Sequence, residues 1–140
     1  VDAYQAILQQ YPKGELETLV DNFSCFKMMT EKEITELSDS GQSVQSHGVM
    51  HELFNRNQSN DVVKSELFNS KRRLESITKK PVTWFAYPNG DDQQPKSDLL
   101  LQESGYNKAF ALGYRSFLQK DDLFHIPRYN ASQSSTKLLF

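Results

Sequence analysis

A chain of 140 residues can bury one core, and its 16 basic against 18 acidic residues leave a formal net charge of -2. That balance excludes the basic face that nucleic acid or an anionic lipid surface requires, so neither partner is expected. The single Cys25 excludes an internal disulfide and a multi-cysteine metal site, and no apolar run reaches the roughly 18 residues of a membrane span.

The chain opens in helical sequence, "VDAYQAILQQ", with no basic stretch leading into an apolar one. Residues 2–23 carry Tyr4, Ile7, Leu8 and Tyr11, then Leu16, Leu19, Val20 and Phe23 at helical spacing. The pattern breaks at residues 12–14, which predicts two short helices or one broken one. Thr30 and Glu33 have the form of a capping box, Ile34 and Leu37 supply an apolar stripe, and Gly41 sits where the helix should end. "QSVQSH" follows as a short strand. The longest helix begins near Ser59 or Asn60, shows Val63, Leu67, Leu74 and Ile77 on one face, and stops before Pro81. "PVTWFAY" is an aromatic and β-branched strand closed by the turn residues Pro88, Asn89 and Gly90. Ser97 is placed to cap a helix over residues 99–103 that ends at Gly105, and "NKAFAL" is the next strand. Alternation of this kind predicts an α/β fold with parallel strands, residues 1–140 forming one domain.

In such folds chemistry collects where strands end and loops converge. His47 and His51 follow one predicted strand, Tyr87 to Gly90 follow the next, and His125 to Arg128 lie near the last. Two imidazoles four residues apart are good ligands for zinc and similar divalent ions, and a carboxylate would complete the site. Two solvated histidines are the plainer reading of the same pair. Trp84, Phe85 and Phe110 offer faces for a sugar, or pack as strand core. Asp91 and Asp92 read as solvated loop charges.

The segments "MMTEKEITELSDSGQSVQSHGVMHELF", "SELFNSKRRLESITKKPVTWFAYPNG", "SGYNKAFAL" and "FHIPRYN" together resemble, in order and spacing, the polysaccharide deacetylase family. This is also called the NodB-homology or carbohydrate esterase family 4 domain, and the resemblance covers about residues 28–131, after the helical segment 2–23. It implies a partial or distorted (β/α) barrel with parallel strands. The implied activity is removal of N- or O-acetyl groups from an acetylated polysaccharide or oligosaccharide by a divalent metal, zinc first among the choices. His47 and His51 would be metal ligands. The backbone amide of Asn89 would face the acyl oxyanion, and Tyr87, Pro88 and Trp84 would line the substrate. His125, in a Leu-x-His pattern, would protonate the leaving amine, and Arg128 would stand in for a motif arginine replaced here by Ala86.

The family's Thr-Phe-Asp-Asp motif, which supplies the base and the metal-binding aspartate, has no counterpart; Asp2 is the one early candidate and reads better as a helix-start residue. Gly48 replaces the hydroxyl residue of the histidine motif. The expectation is therefore a C-terminal part of a longer deacetylase. The alternative is a catalytically degenerate relative serving as a carbohydrate-binding or assembly module. An export signal further upstream would place the protein in the cell envelope or outside the cell, and its lack would leave it cytoplasmic. A sheet without its first strands exposes an edge, which either the helices of residues 2–23 or a second copy in a homo-oligomer would cover.

Overall fold

The computed structural model of the chain describes residues 28–113 and 122–129. Two compact units divide between Glu33 and Ile34. The helices expected over residues 2–23, Asp2 and Cys25 lie outside the described residues.

Helix α1, Glu31–Asp39, starts as its sequence dictates: the Glu33 carboxylate accepts from Thr30 N at 2.7 Å while the Thr30 hydroxyl accepts from Glu33 N at 3.3 Å. The expected apolar stripe is weak, because Leu37 is 40% exposed and the residue that α1 buries is Ser38. The Ser38 carbonyl accepts from Lys80 Nζ. Gly41, at φ +92°, turns the chain away.

The strand expected at "QSVQSH" shrinks to one parallel bridge between Ser46 and Phe85. Ser46 N donates to Trp84 O at 3.2 Å, and Ala86 N donates to Ser46 O at 2.9 Å. Ahead of it, the Gln45 side-chain oxygen accepts from both Thr83 N and Trp84 N, at 3.0 and 2.9 Å. A side chain there takes the place of a backbone ladder, which explains why a segment with Val44 as its one strong apolar residue pairs so briefly.

Helix α2, Asn60–Thr78, is capped by Ser59, whose hydroxyl accepts from Val62 N at 3.3 Å. It closes on Lys79 in a left-handed conformation at φ +55°. Its buried residues Val63, Glu66, Leu67 and Ser70 recur at helical spacing, so two polar side chains sit inside the apolar stripe.

Strands β1 (Trp84–Ala86), β2 (Lys108–Leu112) and β3 (Ile126–Arg128) pair in parallel in the order β1-β2-β3, with Ala86 opposite Phe110 and Phe110 opposite Ile126. This is the expected parallel α/β arrangement. Alternation along the strands buries Phe85, Ala109 and Ala111 with Val63 and Leu67 of α2 and Leu100 and Leu101 of α3 (Ser97–Glu103). Phe54 stacks on Phe85 at 5.2 Å and meets Tyr87 edge-on at 5.6 Å, and each such ring contributes about 1.5–3 kcal/mol by leaving water. Ser97 does not cap α3 but is its first residue. The Gln94 side chain already accepts from Lys96 N at 2.6 Å and the Gln94 carbonyl from Ser97 N at 3.1 Å, so the helix begins from a turn one residue earlier. None of the described helices is long and apolar enough to cross a membrane.

Candidate active site

His47 leaves the sheet immediately after the Ser46 bridge, so its ring arrives at the C-terminal end of β1. There His47 Nδ1 lies 2.6 Å from the carbonyl oxygen of Ala86. A carbonyl can only accept, so Nδ1 carries a proton, and in the neutral ring Nε2 presents its lone pair. The His51 ring stands 4.9 Å from that of His47, centroid to centroid, at an interplanar angle of 79°. Both histidines are exposed.

The loop between them is held from below. The buried Glu66 carboxylate accepts from Val49 N at 2.8 Å and from Met50 N at 3.0 Å. Gly48 N donates to the Ser46 hydroxyl at 3.3 Å, and that hydroxyl donates to Ser70 Oγ at 2.7 Å. The hydroxyl that a serine or threonine at 48 would bring is thus replaced by Ser46 and Glu66. Gly48 itself adopts φ +90°, and a Cβ on it would stand 2.7 Å from Glu66 Oε2 and 4.0 Å from Pro88 Cγ. The histidine loop and the proline turn are therefore neighbours.

That turn, a 3-10 turn over Pro88–Gly90, follows β1 directly. Gly90, at φ +71°, packs so closely on β2 that a Cβ would meet Leu112 N at 2.5 Å. Asn89 is exposed at φ +51°, a conformation asparagine tolerates. Among the described residues no acceptor takes its backbone N–H. The turn is anchored from both sides: Gly90 N donates to Tyr87 O at 2.8 Å, and Arg128 Nη2 donates to the same oxygen at 2.9 Å. Arg128 thus reaches this end of the sheet from β3 as a clamp on the backbone. Pro88 and Tyr87 are buried, and burial pushes the Tyr87 phenol well above its ordinary range.

His125 and Trp84 have neighbours that the sequence did not indicate. His125 precedes β3 instead of following a strand, and both its nitrogens are taken: Nδ1 lies 2.7 Å from Asp92 Oδ2 and Nε2 lies 3.0 Å from Asp98 Oδ1. Burial alone would lower its pKa, but the Asp92 hydrogen bond and the charges of Asp98, Asp92 and Asp122 outweigh that and hold it above the ordinary imidazole value. Asp92, read as a solvated charge, is its partner. Trp84 begins β1 at the end away from the turn, 37% exposed, with Lys108 Nζ 4.8 Å above its ring. Lys108 covers that face of the ring.

Sequence reasoning missed Glu66, Ser46, Asp98 and Asp122. An acidic residue inside the apolar stripe of α2 was the readable signal for Glu66. Among the described residues no carboxylate joins His47 and His51 into a three-ligand set.

Similarity to known proteins follows the same residues. The polysaccharide deacetylase family model matches residues 7–109, starting earlier than the motifs suggest and stopping short of His125 and Arg128. No curated protein matches. A polysaccharide deacetylase from Bacillus cereus is 32% identical with a TM-score of 0.64, over 79% of this chain and 34% of that one. The Streptococcus pyogenes deacetylase PplD, solved in complex with acetate, is 25% identical with a TM-score of 0.56, over 60% of this chain and 36% of that one. A carbohydrate esterase family 4 pseudoenzyme from Bacillus anthracis shares the fold, at 22% identity and a TM-score of 0.51, over 56% of this chain and 27% of that one. The chain spans about a third of the length of the first two. With the family match running from the N-terminal segment through the histidine loop and the proline turn to β2, the chain belongs to the polysaccharide deacetylase family.

Proposed function

We propose that this chain carries one part of the active site of a metal-dependent deacetylase acting on an acetylated polysaccharide. The observation that carries the reading is the His47 ring, fixed through Nδ1 on Ala86 O with Nε2 free, beside His51 and the turn that presents the Asn89 N–H. Two imidazoles, one with its tautomer set by a carbonyl, fit a zinc-like ion. Such an ion supplies Lewis-acid activation of water and of the acyl carbonyl. The chain's own residues do the rest. The Asn89 amide is placed to donate to the oxygen that gains charge as water adds to the acyl carbon, and being fixed in a turn it need not reorganise. Pro88 and Gly90 hold that amide, and Arg128 holds the Tyr87 carbonyl from which the turn starts. As the acyl C–N or C–O bond breaks, acetate leaves and the sugar amine or hydroxyl takes a proton. The reaction needs, besides these residues, a general base and a third ligand.

The test is acetate release from an acetylated chito-oligosaccharide by the full-length protein. His47→Ala or His51→Ala should each cost more than the roughly 10- to 100-fold that a change behind the ligands costs. Undiminished turnover in either variant overturns the reading. The lack of a carboxylate beside the histidine pair among the described residues favours, as a second reading, a degenerate relative that binds the polymer without cleaving it. Polymer binding by a wild-type full-length protein that releases no acetate would select it.

A further inference from the structure

The two histidines of the candidate site are supported by different means. His47 is tied to the sheet, since Ser46 bridges Phe85 and His47 Nδ1 lies 2.6 Å from Ala86 O. His51 reaches the same place at the far end of a loop and in a left-handed conformation, at φ +61°. Gly48, at the near end, is left-handed as well, at φ +90°. A histidine in that region of backbone space is uncommon, and such a conformation persists only where its surroundings hold it.

What holds this one is a carboxylate. The amides of Val49 and Met50, between the two left-handed residues, both donate to Glu66 Oε2, at 2.8 and 3.0 Å, and Met50 N lies 3.2 Å from Oε1. Glu66 is 5% exposed and stands on α2, inside the apolar stripe. A charged acceptor binds an amide more strongly than a neutral one does. The side chains of Val49 and Met50 are 54% and 74% exposed, so packing adds little to the hold on the loop.

We propose that Glu66 is a positioning residue for the metal centre: by gripping two successive amides it fixes where His51 stands relative to His47, and so sets the affinity of the pair for a divalent ion of zinc type. This rests on the deacetylase reading of the histidine pair. Glu66 acts through the loop backbone, as groups behind metal ligands do when they orient them. The supports are unequal in consequence. Loss of the carboxylate releases His51 and leaves His47 on the Ala86 carbonyl.

The test compares wild-type full-length protein with Glu66→Ala and Glu66→Gln, each checked for folding by circular dichroism. Without metal, in protein isotope-labelled at histidine, the nuclear Overhauser contact between the His47 and His51 rings, whose centroids are 4.9 Å apart, should be lost in Glu66→Ala while the His47 Nδ1–H signal stays in place. With zinc, affinity measured by competition with a chelator should fall about tenfold or more in Glu66→Ala. Glu66→Gln, which keeps an acceptor oxygen, should lie between that variant and the wild type in both measurements. A residue that served the fold alone would lower the melting temperature and leave the ring contact and the zinc affinity as they were, and that result overturns the proposal. Should Glu66→Ala fail to fold, an unaltered contact or an unaltered affinity in Glu66→Gln overturns it equally. Zinc binding that His47→Ala leaves unchanged would overturn the deacetylase reading instead, and the metal-free ring contact would then decide by itself whether Glu66 positions His51.

Discussion

Gly48 and Glu66 fit only as a pair: a Cβ on the glycine would stand 2.7 Å from the carboxylate oxygen that holds the amides of Val49 and Met50. The histidine loop is therefore shaped by a helix 16 to 17 residues further along the chain. Glu66→Ala leaves both amides without their acceptor. It should cost about 1.5–3 kcal/mol, the range for hydrogen bonds to a charged group. Urea unfolding measures this, and a loss below about 0.5 kcal/mol would show that water replaces the carboxylate. Glu66→Gln should recover part of it.

Gly48→Ala should be damaging for two independent reasons, the left-handed φ of +90° and the contact with Glu66. The backbone term alone is about 1–2 kcal/mol. Combining it with Glu66→Ala removes the clash and not the backbone strain. The double variant should be less destabilised than the two single changes added together, and strict additivity in a double-mutant cycle would contradict the packing argument.

Tyr87→Phe removes a buried hydroxyl that makes no well-formed hydrogen bond among the described residues, Ser97 being the side chain near enough to act on it. It should be neutral or stabilise by up to about 1 kcal/mol, since deleting a poorly paired buried group relieves its desolvation cost. A loss of more than about 1 kcal/mol in the same measurement would reveal a partner for the phenol.

Glu75 gives the acid side of the stability curve. Its pKa is lowered chiefly by the hydrogen bond from Val82 N at 3.0 Å, with Lys71 adding to the effect against the opposing cost of burial. A carboxylate whose folded pKa is depressed stabilises above its unfolded value, about 4.3, and loses that contribution as pH falls through the folded value. Because Glu75 is 36% exposed, the effect is below about 1 kcal/mol. Glu75→Gln should flatten the stability curve below about pH 4.3 and leave its shape near neutrality unaltered. An unchanged acid limb would disprove the assignment.

The 140-residue chain by itself should release little or no acetate from an acetylated chito-oligosaccharide. Among the described residues the two imidazoles have no carboxylate ligand beside them, and such a pair holds an ion weakly and activates water poorly. Robust turnover by this chain would show that its own residues complete the site.

Periodicity and capping were legible from residues alone where local chemistry decides. Thr30 with Glu33, Ser59, and the stripe of Val63 and Leu67 all behave as their spacing demands, because a cap or an amphipathic face needs nothing from afar. The strand before His47 was not legible in extent, since its partner is met through a glutamine side chain. The partners of His125 were not legible because a three-residue motif carries no information about Asp92 and Asp98, which lie 33 and 27 positions earlier and reach it only once α3 has packed. The histidine pair and the proline turn could be found from sequence because both follow β-strand chemistry. Glu66 could be found only by asking why an acid interrupts an apolar face.

Gln45 occupies the two amides of Thr83 and Trp84 that another strand would otherwise use. Register between the histidine segment and β1 is thus locked by one amide side chain and one bridge, not by a row of backbone bonds. A ladder would tie the direction of the loop to the twist of the sheet. With a single bridge, side-chain changes at positions 45, 46 or 66 act on the loop from Gly48 to His51, while His47 stays tied to β1 through Ala86. The histidine loop takes its direction from side chains more than from the sheet's backbone ladder.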